Sequence, residues 1–300
     1  VSIFVDEVAK KLADQWARLI VLPGLLYVAV LGLVWPLSIV RTGSGLRSGL
    51  CLALLPRHVR EFILVAASSG AAAVAVAAVL VLVTSLLVGQ AAEVLARLIE
   101  ALWLGSWPAW PRNALIRQRS RRWQRRQAEI DRLLAQGREH IDIPALATAR
   151  IQRDAIAPTR PQHPTWMGDR FASLELLLDN TYHVPLRPFW SRLWLVLPDR
   201  SRDDVQFAAQ VFREQTLAAG WGLMYLATAA YWWPLLVPGL LMILVSWRRG
   251  RRHLDGFAAV VEATVDLYMP DLARALGIDV DGPFTPAVGD EMRALMVKTE

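Results

Sequence analysis

Residues 19–40, 62–89 and 217–247 contain no charged side chain, and these three apolar stretches limit the possible folds more than any other feature of the sequence. About 20 consecutive apolar residues cross a hydrocarbon core of roughly 30 Å, so each stretch is long enough to span a bilayer. Lipid offers no water to the backbone N–H and C=O groups, and an isolated segment can satisfy them only as a helix. The expectation is an all-α integral membrane protein. The 54% hydrophobic content of the 300 residues then reflects lipid-facing helices rather than an unusually large soluble core.

Each stretch carries its own signals. Pro23-Gly24 and Trp35-Pro36 should kink or fray the first span, with Trp35 at headgroup level. This span exceeds the usual signal-peptide core and lacks a small-residue cleavage site after Val40, so it reads as an uncleaved anchor. The second span is rich in small residues, and Ser69, Gly70, Ala73 and Ala77 define a face on which another helix can approach closely. As one helix the third stretch would measure about 46 Å. It places Tyr231-Trp232-Trp233-Pro234 in its middle, where interfacial aromatics do not belong. A helical hairpin resolves this, with limbs from about Val205 to Ala230 and from Trp232 to about Trp247. The expected total is four transmembrane helices, the last two as a hairpin.

Charge orients them. With four crossings, the arginines after the second span and Arg248, Arg249, Arg251 and Arg252 share a side with Lys10, Lys11 and Arg18. The positive-inside rule makes that side cytoplasmic, so both termini are expected there. Arg41, Arg47, Arg57 and Arg60 in the first loop then face outward, against the rule. All but Lys10, Lys11 and Lys298 of the 33 basic residues are Arg, which in an Ala- and Leu-rich chain suggests a GC-rich bacterium and hence its cytoplasmic membrane.

The expected organisation follows. Residues 1–18 form an amphipathic helix through Ile3, Phe4, Val8, Leu12 and Trp16. Residues 19–89 hold two spans and their loop, 90–204 a mostly helical cytoplasmic region, 205–247 the hairpin, and 248–300 a C-terminal helix and tail. Within the middle region, 128–136 and 145–155 read as short helices joined through Pro144, 157–164 as a linker and 168–179 as a further helix. Residues 254–276 show apolar side chains at helical spacing with Gly277 as a stop, and 279–289 reads as loop.

The densest charge signal is Arg112, Arg117, Arg119, Arg121, Arg122, Arg125 and Arg126, a run without an acid flanked by Trp107, Trp110 and Trp123. Such a juxtamembrane cluster attracts anionic headgroups by on the order of 1 kcal/mol per basic residue near the surface. Together with Arg248 and Arg249 it is the expected lipid-contact surface. The same charge attracts nucleic acid, but no base-reading motif accompanies it, so nucleic acid is disfavoured.

Catalytic signatures are sparse. His58, His140, His163, His183 and His253 lack a metal-binding pair, and Glu139-His140-Ile141-Asp142 reads as ordinary surface polarity. Asp279, Asp281 and Glu291 lack the remaining ligands of a calcium loop. No phosphate-binding or nucleophile-elbow motif occurs, and Cys51, the single cysteine, excludes an intramolecular disulfide. No cofactor is expected. The spans carry no ionisable group of the kind ion-coupled transporters place there.

Leu22-Pro23-Gly24-Leu25-Leu26, Pro164-Thr165-Trp166-Met167-Gly168-Asp169, Phe189-Trp190-Ser191-Arg192-Leu193-Trp194 and Leu197-Pro198-Asp199 together resemble a family of bacterial multi-pass membrane proteins without an assigned activity. The likeness extends to Val260-Val261-Glu262-Ala263 and Val265-Asp266-Leu267. It departs at Trp166-Met167, where the family commonly has Arg-Leu, and lacks an acidic-aromatic run before Phe189. The resemblance implies four spans with a cytoplasmic middle region.

The leading functional expectation is a non-enzymatic membrane component whose cytoplasmic helices bind a protein partner or the anionic membrane surface. A homo-oligomeric pore or channel-like effector, lined by Ser68, Ser69, Thr84 and Ser85, is the alternative. A lipid-modifying enzyme is third, with Asp179, Asn180, Tyr182 and His183 as its first candidates.

Overall fold

The computed structural model describes residues 22–39, 70–135, 142–280 and 284–296. Among them every regular element is a helix, in the order α1 (Leu22–Ile39), α2 (Ala71–Trp103), α3 (Ala109–Ala135), α4 (Ile143–Asp154), α5 (Trp166–Tyr182), α6 (Leu186–Val196), α7 (Asp199–Ala229), α8 (Leu236–Ala275) and α9 (Pro286–Met296). The protein is all-α. The expected N-terminal amphipathic helix, Arg41, Arg47, Arg57, Arg60, Cys51, Ser68, Ser69, Glu139, His140 and Asp281 lie outside the described residues.

Contacts divide the chain into two units, one of residues 1–98 and 216–247, the other of 99–215 and 248–300. In the first, the buried core is small: Tyr27 from α1, Ala92 and Ala96 from α2, Leu217 and Trp221 from α7. The Tyr27 hydroxyl is shared with Thr228 Oγ1 at 2.6 Å, so its polar end is satisfied. Around this core the large apolar side chains point outward. Val76, Val79, Leu80 and Leu87 on α2 and Val237, Leu240 and Leu241 on α8 are at least half exposed, a distribution that water penalises and lipid does not. Helix α2 is, among the described residues, the one helix long and apolar enough to cross a membrane.

Within the chain, close helix packing falls on a different stretch of α2 from the expected face. Gly70, Ala73 and Ala77 are exposed, and a Cβ added at Gly70 would meet nothing within 4 Å. Close approach occurs further along α2. A Cβ on Gly24 would lie 2.5 Å from the Ser85 carbonyl oxygen, and one on Gly220 2.8 Å from that of Ala92. The contacting small residues are therefore Ser85, Ala92 and Ala96, whose burial lets α1 and α7 reach the α2 backbone. Helix α7 ends at Ala229 and α8 starts at Leu236, with a 3-10 turn at Trp233–Leu235, so the Trp-Trp-Pro sequence breaks the third stretch as its aromatics require.

The second unit has the larger core, in which Leu174, Leu178, Phe189, Leu193, Val261, Val265, Met269 and Met292 bring α5, α6, α8 and α9 together. Its local signals are explicit. Asp142 caps α4 by accepting a hydrogen bond from the Ala145 N–H at 3.0 Å, with a proline in the first turn. Thr165 caps α5 by accepting from the Gly168 N–H at 3.1 Å. Gly277, at φ +84°, stops α8 close to where the sequence places its end. Part of the stretch expected as loop after Asp279 is instead α9, which starts at Pro286.

Candidate functional site

Five residues separate the end of α2 from the start of α3, which carries the arginine run. Arg112, Arg117, Arg121, Arg122, Arg125 and Arg126 are exposed, and among the described residues none has a carboxylate partner. Arg122, Arg125 and Arg126 border an open groove of about 710 Å³ whose other wall is α4 through Thr148, Ala149 and Gln152. Where α3 packs on α4, the Arg153 guanidinium lies over the Trp123 ring at 5.8 Å and donates to Gln127 Oε1 at 2.9 Å.

Arg119 is a correction to the expected lipid-contact set. Its side chain is 15% exposed and turns inward, with Nη2 2.9 Å from Asp169 Oδ2. It also donates to the carbonyls of His163, at 2.9 Å, and Ile156. Asp169 Oδ1 accepts from the backbone N–H groups of Gln162 and His163 at 2.8 and 2.7 Å. Burial lowers the Arg119 pKa from its ordinary value, the Asp169 charge acts in the opposite direction, and the Arg251 charge lowers it further. Arg119 therefore ties α3 to the 156–163 connection and to the first turn of α5.

The Pro164–Asp169 sequence explains why the chain folds this way here. Thr165 donates to the Trp103 carbonyl at 2.6 Å while capping α5, and Asp169 falls in the first turn, where the helix dipole favours a negative charge. Gly168 is required by contact, since a Cβ there would stand 2.7 Å from the Leu104 carbonyl oxygen. Trp166 Nε1 donates to the Asp154 carbonyl at 3.0 Å, and its ring receives the Arg251 guanidinium at 4.4 Å.

Arg248 and Arg249, the remaining expected lipid contacts, are exposed on α8. Between them and Arg251, Gly250 is buried, and a Cβ there would be 2.7 Å from the Trp103 ring. Asp179, Asn180, Tyr182 and His183, the residues considered for catalysis, fall at the end of α5, and three of them have partners. Asp179 pairs with Arg293 at 2.6 Å and His183 Nδ1 with Asp290 at 3.0 Å. The Tyr182 hydroxyl donates to Asp266 at 2.8 Å. Burial and that hydrogen bond push the Tyr182 phenol up to about 12. These contacts clamp the end of α5 to α8 and α9. Among the described residues, no group of three or more His, Cys, Asp or Glu side chains is placed to hold a metal.

Sequence reasoning missed the Arg119 to Asp169 pair and the seating of Arg251 on Trp166. A capping Thr followed by Asp at the first turn of a helix was the available signal for the first, though it does not name the distant partner. No known protein family, curated protein or solved structure matches the chain.

Proposed function

We propose that this is a four-span α-helical protein of a bacterial cytoplasmic membrane, non-enzymatic, whose helix α3 rests on anionic phospholipid headgroups. The observation that carries this reading is six exposed α3 arginines that have no carboxylate partner among the described residues, on the helix that follows the exposed apolar surface of α2 along the chain. Such a surface gains on the order of 1 kcal/mol per arginine near anionic lipid, and screening by salt weakens it. Arg248 and Arg249 add to the same charge; Arg119 is committed internally and does not.

The test uses the full chain in nanodiscs, with an environment-sensitive label on Gln124→Cys in a Cys51→Ala background, because Gln124 is exposed on α3. Anionic lipid should shift the label emission relative to phosphatidylcholine alone, and salt should reverse the shift. The fourfold substitution of Arg121, Arg122, Arg125 and Arg126 by Gln should abolish it. An emission indifferent to lipid charge would overturn the headgroup role. In intact cells the same cysteine should resist an impermeant thiol reagent until lysis, and labelling before lysis would overturn the orientation.

A further inference from the structure

Arg248, Arg251, Arg252 and Asp255 recur along α8 at spacings of three and four, so they share one helical face. With Trp166 they line an open cleft of about 400 Å³. Like charges at these spacings oppose one another, so the sequence keeps a local electrostatic cost here. Asp255 is the one acid in the cleft, and its carboxylate is taken by Arg170 at 2.6 Å. Among the described residues, Arg248, Arg251 and Arg252 have no carboxylate partner.

Arg251 is held in place without being neutralised. Its guanidinium lies 4.4 Å from the centre of the Trp166 ring and donates to the Ala155 carbonyl at 3.4 Å. The ring attracts the cation and fixes its plane while leaving further N–H groups unused. Desolvation lowers the Arg251 pKa, and its charge in turn depresses that of Arg119. Trp166 is also the first residue of α5, so the positive end of that helix dipole adds to the field.

We propose that the cleft formed by Arg248, Arg251, Arg252 and Trp166 binds a phosphate group, as a free anion or as a phosphomonoester carried by a lipid headgroup. Three guanidinium forks offer paired donors to the several acceptor oxygens of a tetrahedral anion. The volume admits a phosphate with a small substituent. This site is on α8 and is separate from the α3 surface proposed above.

The full chain in a neutral maltoside detergent tests it, with all α3 arginines intact so that the α3 reading is not at issue. Inorganic phosphate should raise the melting temperature in a concentration-dependent way that chloride at matched ionic strength does not reproduce. The Arg248→Gln/Arg252→Gln variant should weaken phosphate binding by at least about tenfold, since each fork supplies charged hydrogen bonds worth more than that factor. Arg150→Gln, exposed on α4 and outside the cleft, should bind as the parent does. Short-chain phosphatidic acid distinguishes the source: binding tighter than that of inorganic phosphate assigns the site to a lipid headgroup, equal or weaker binding to a free phosphate. The proposal is overturned if neither probe stabilises the protein beyond the chloride control. It is equally overturned if the double variant, with an unliganded melting temperature matching the parent, binds phosphate undiminished.

Discussion

Arg119 and Asp169, fifty positions apart, form an ion pair of 2.9 Å in which the carboxylate side chain is 1% exposed. Removing one partner of a buried pair leaves an uncompensated charge, which costs about 3 to 5 kcal/mol. Asp169→Asn and Arg119→Gln should each lower the melting temperature of the purified protein substantially. The double variant should lose less than the two losses added, because the second substitution removes a charge already stranded by the first. Additive losses in the cycle would show that the pair contributes no coupling and that the backbone hydrogen bonds to Asp169 hold the turn alone.

Helix association in the first unit depends on glycine at particular crossings. Gly24→Leu and Gly220→Leu would drive side chains into the α2 backbone, at 2.5 and 2.8 Å for the Cβ alone. Overpacking of this kind costs about 1 to 3 kcal/mol or more, and backbone atoms cannot move aside as a flexible side chain can. Gly70→Leu enters open space and should leave thermal stability within about 0.5 kcal/mol of the parent. The reverse order of effects would return the packed face to Gly70, Ala73 and Ala77.

These two cases show what was legible in the sequence. The helical class follows from apolar stretches that have no other way to satisfy their backbone, and the end of α7 from aromatics and a proline where a continuous span would not hold them. Asp142, Thr165 and Gly277 act through hydrogen bonds and backbone angles close along the chain, so their roles show in the sequence. The intrachain packing of α2 was not legible because small residues occur along most of that helix, and only the positions of Gly24 and Gly220 select Ser85, Ala92 and Ala96. Arg119 reads like its six neighbours until a carboxylate fifty residues away separates it from them. The cleft on α8 was hidden for the same reason. A spacing of three and four shows which arginines share a face, but Trp166 comes from another helix.

The raised Tyr182 phenol has a defined consequence for stability at high pH. The folded state holds this proton up to about 12, whereas an unfolded tyrosine releases it near its usual value of about 10. Below about 10 both states keep the proton and the contribution is fully present; between about 10 and 12 the unfolded state binds fewer protons and stability falls as pH rises. Tyr182→Phe should be less stable at neutral pH, through loss of the bond to Asp266, yet show a shallower decline across that window. An unchanged alkaline slope in the variant would assign the decline to other groups.

The docking of α9 rests on one contact that can be tested without altering charge. A Cβ at Gly289 would overlap the Tyr182 carbonyl oxygen and lie 3.3 Å from the side chain of buried Val184. Gly289→Ala therefore cannot be absorbed by a rotamer change, and the helix must move away from the end of α5. That displacement would pull Met292, fully buried in the core, from its place, and would separate His183 from Asp290 and Asp179 from Arg293. The expected result is faster hydrogen exchange and proteolytic cleavage across 284–296, with a loss of at least about 2 kcal/mol in stability. Ala287→Gly, at an exposed position on the same helix, lowers helix propensity alone and should cost about 1 kcal/mol without releasing the segment, whereas Gly289→Ala raises propensity and should release it all the same. Equal protection of α9 in the parent and in Gly289→Ala would show that this close approach does not hold the helix in place.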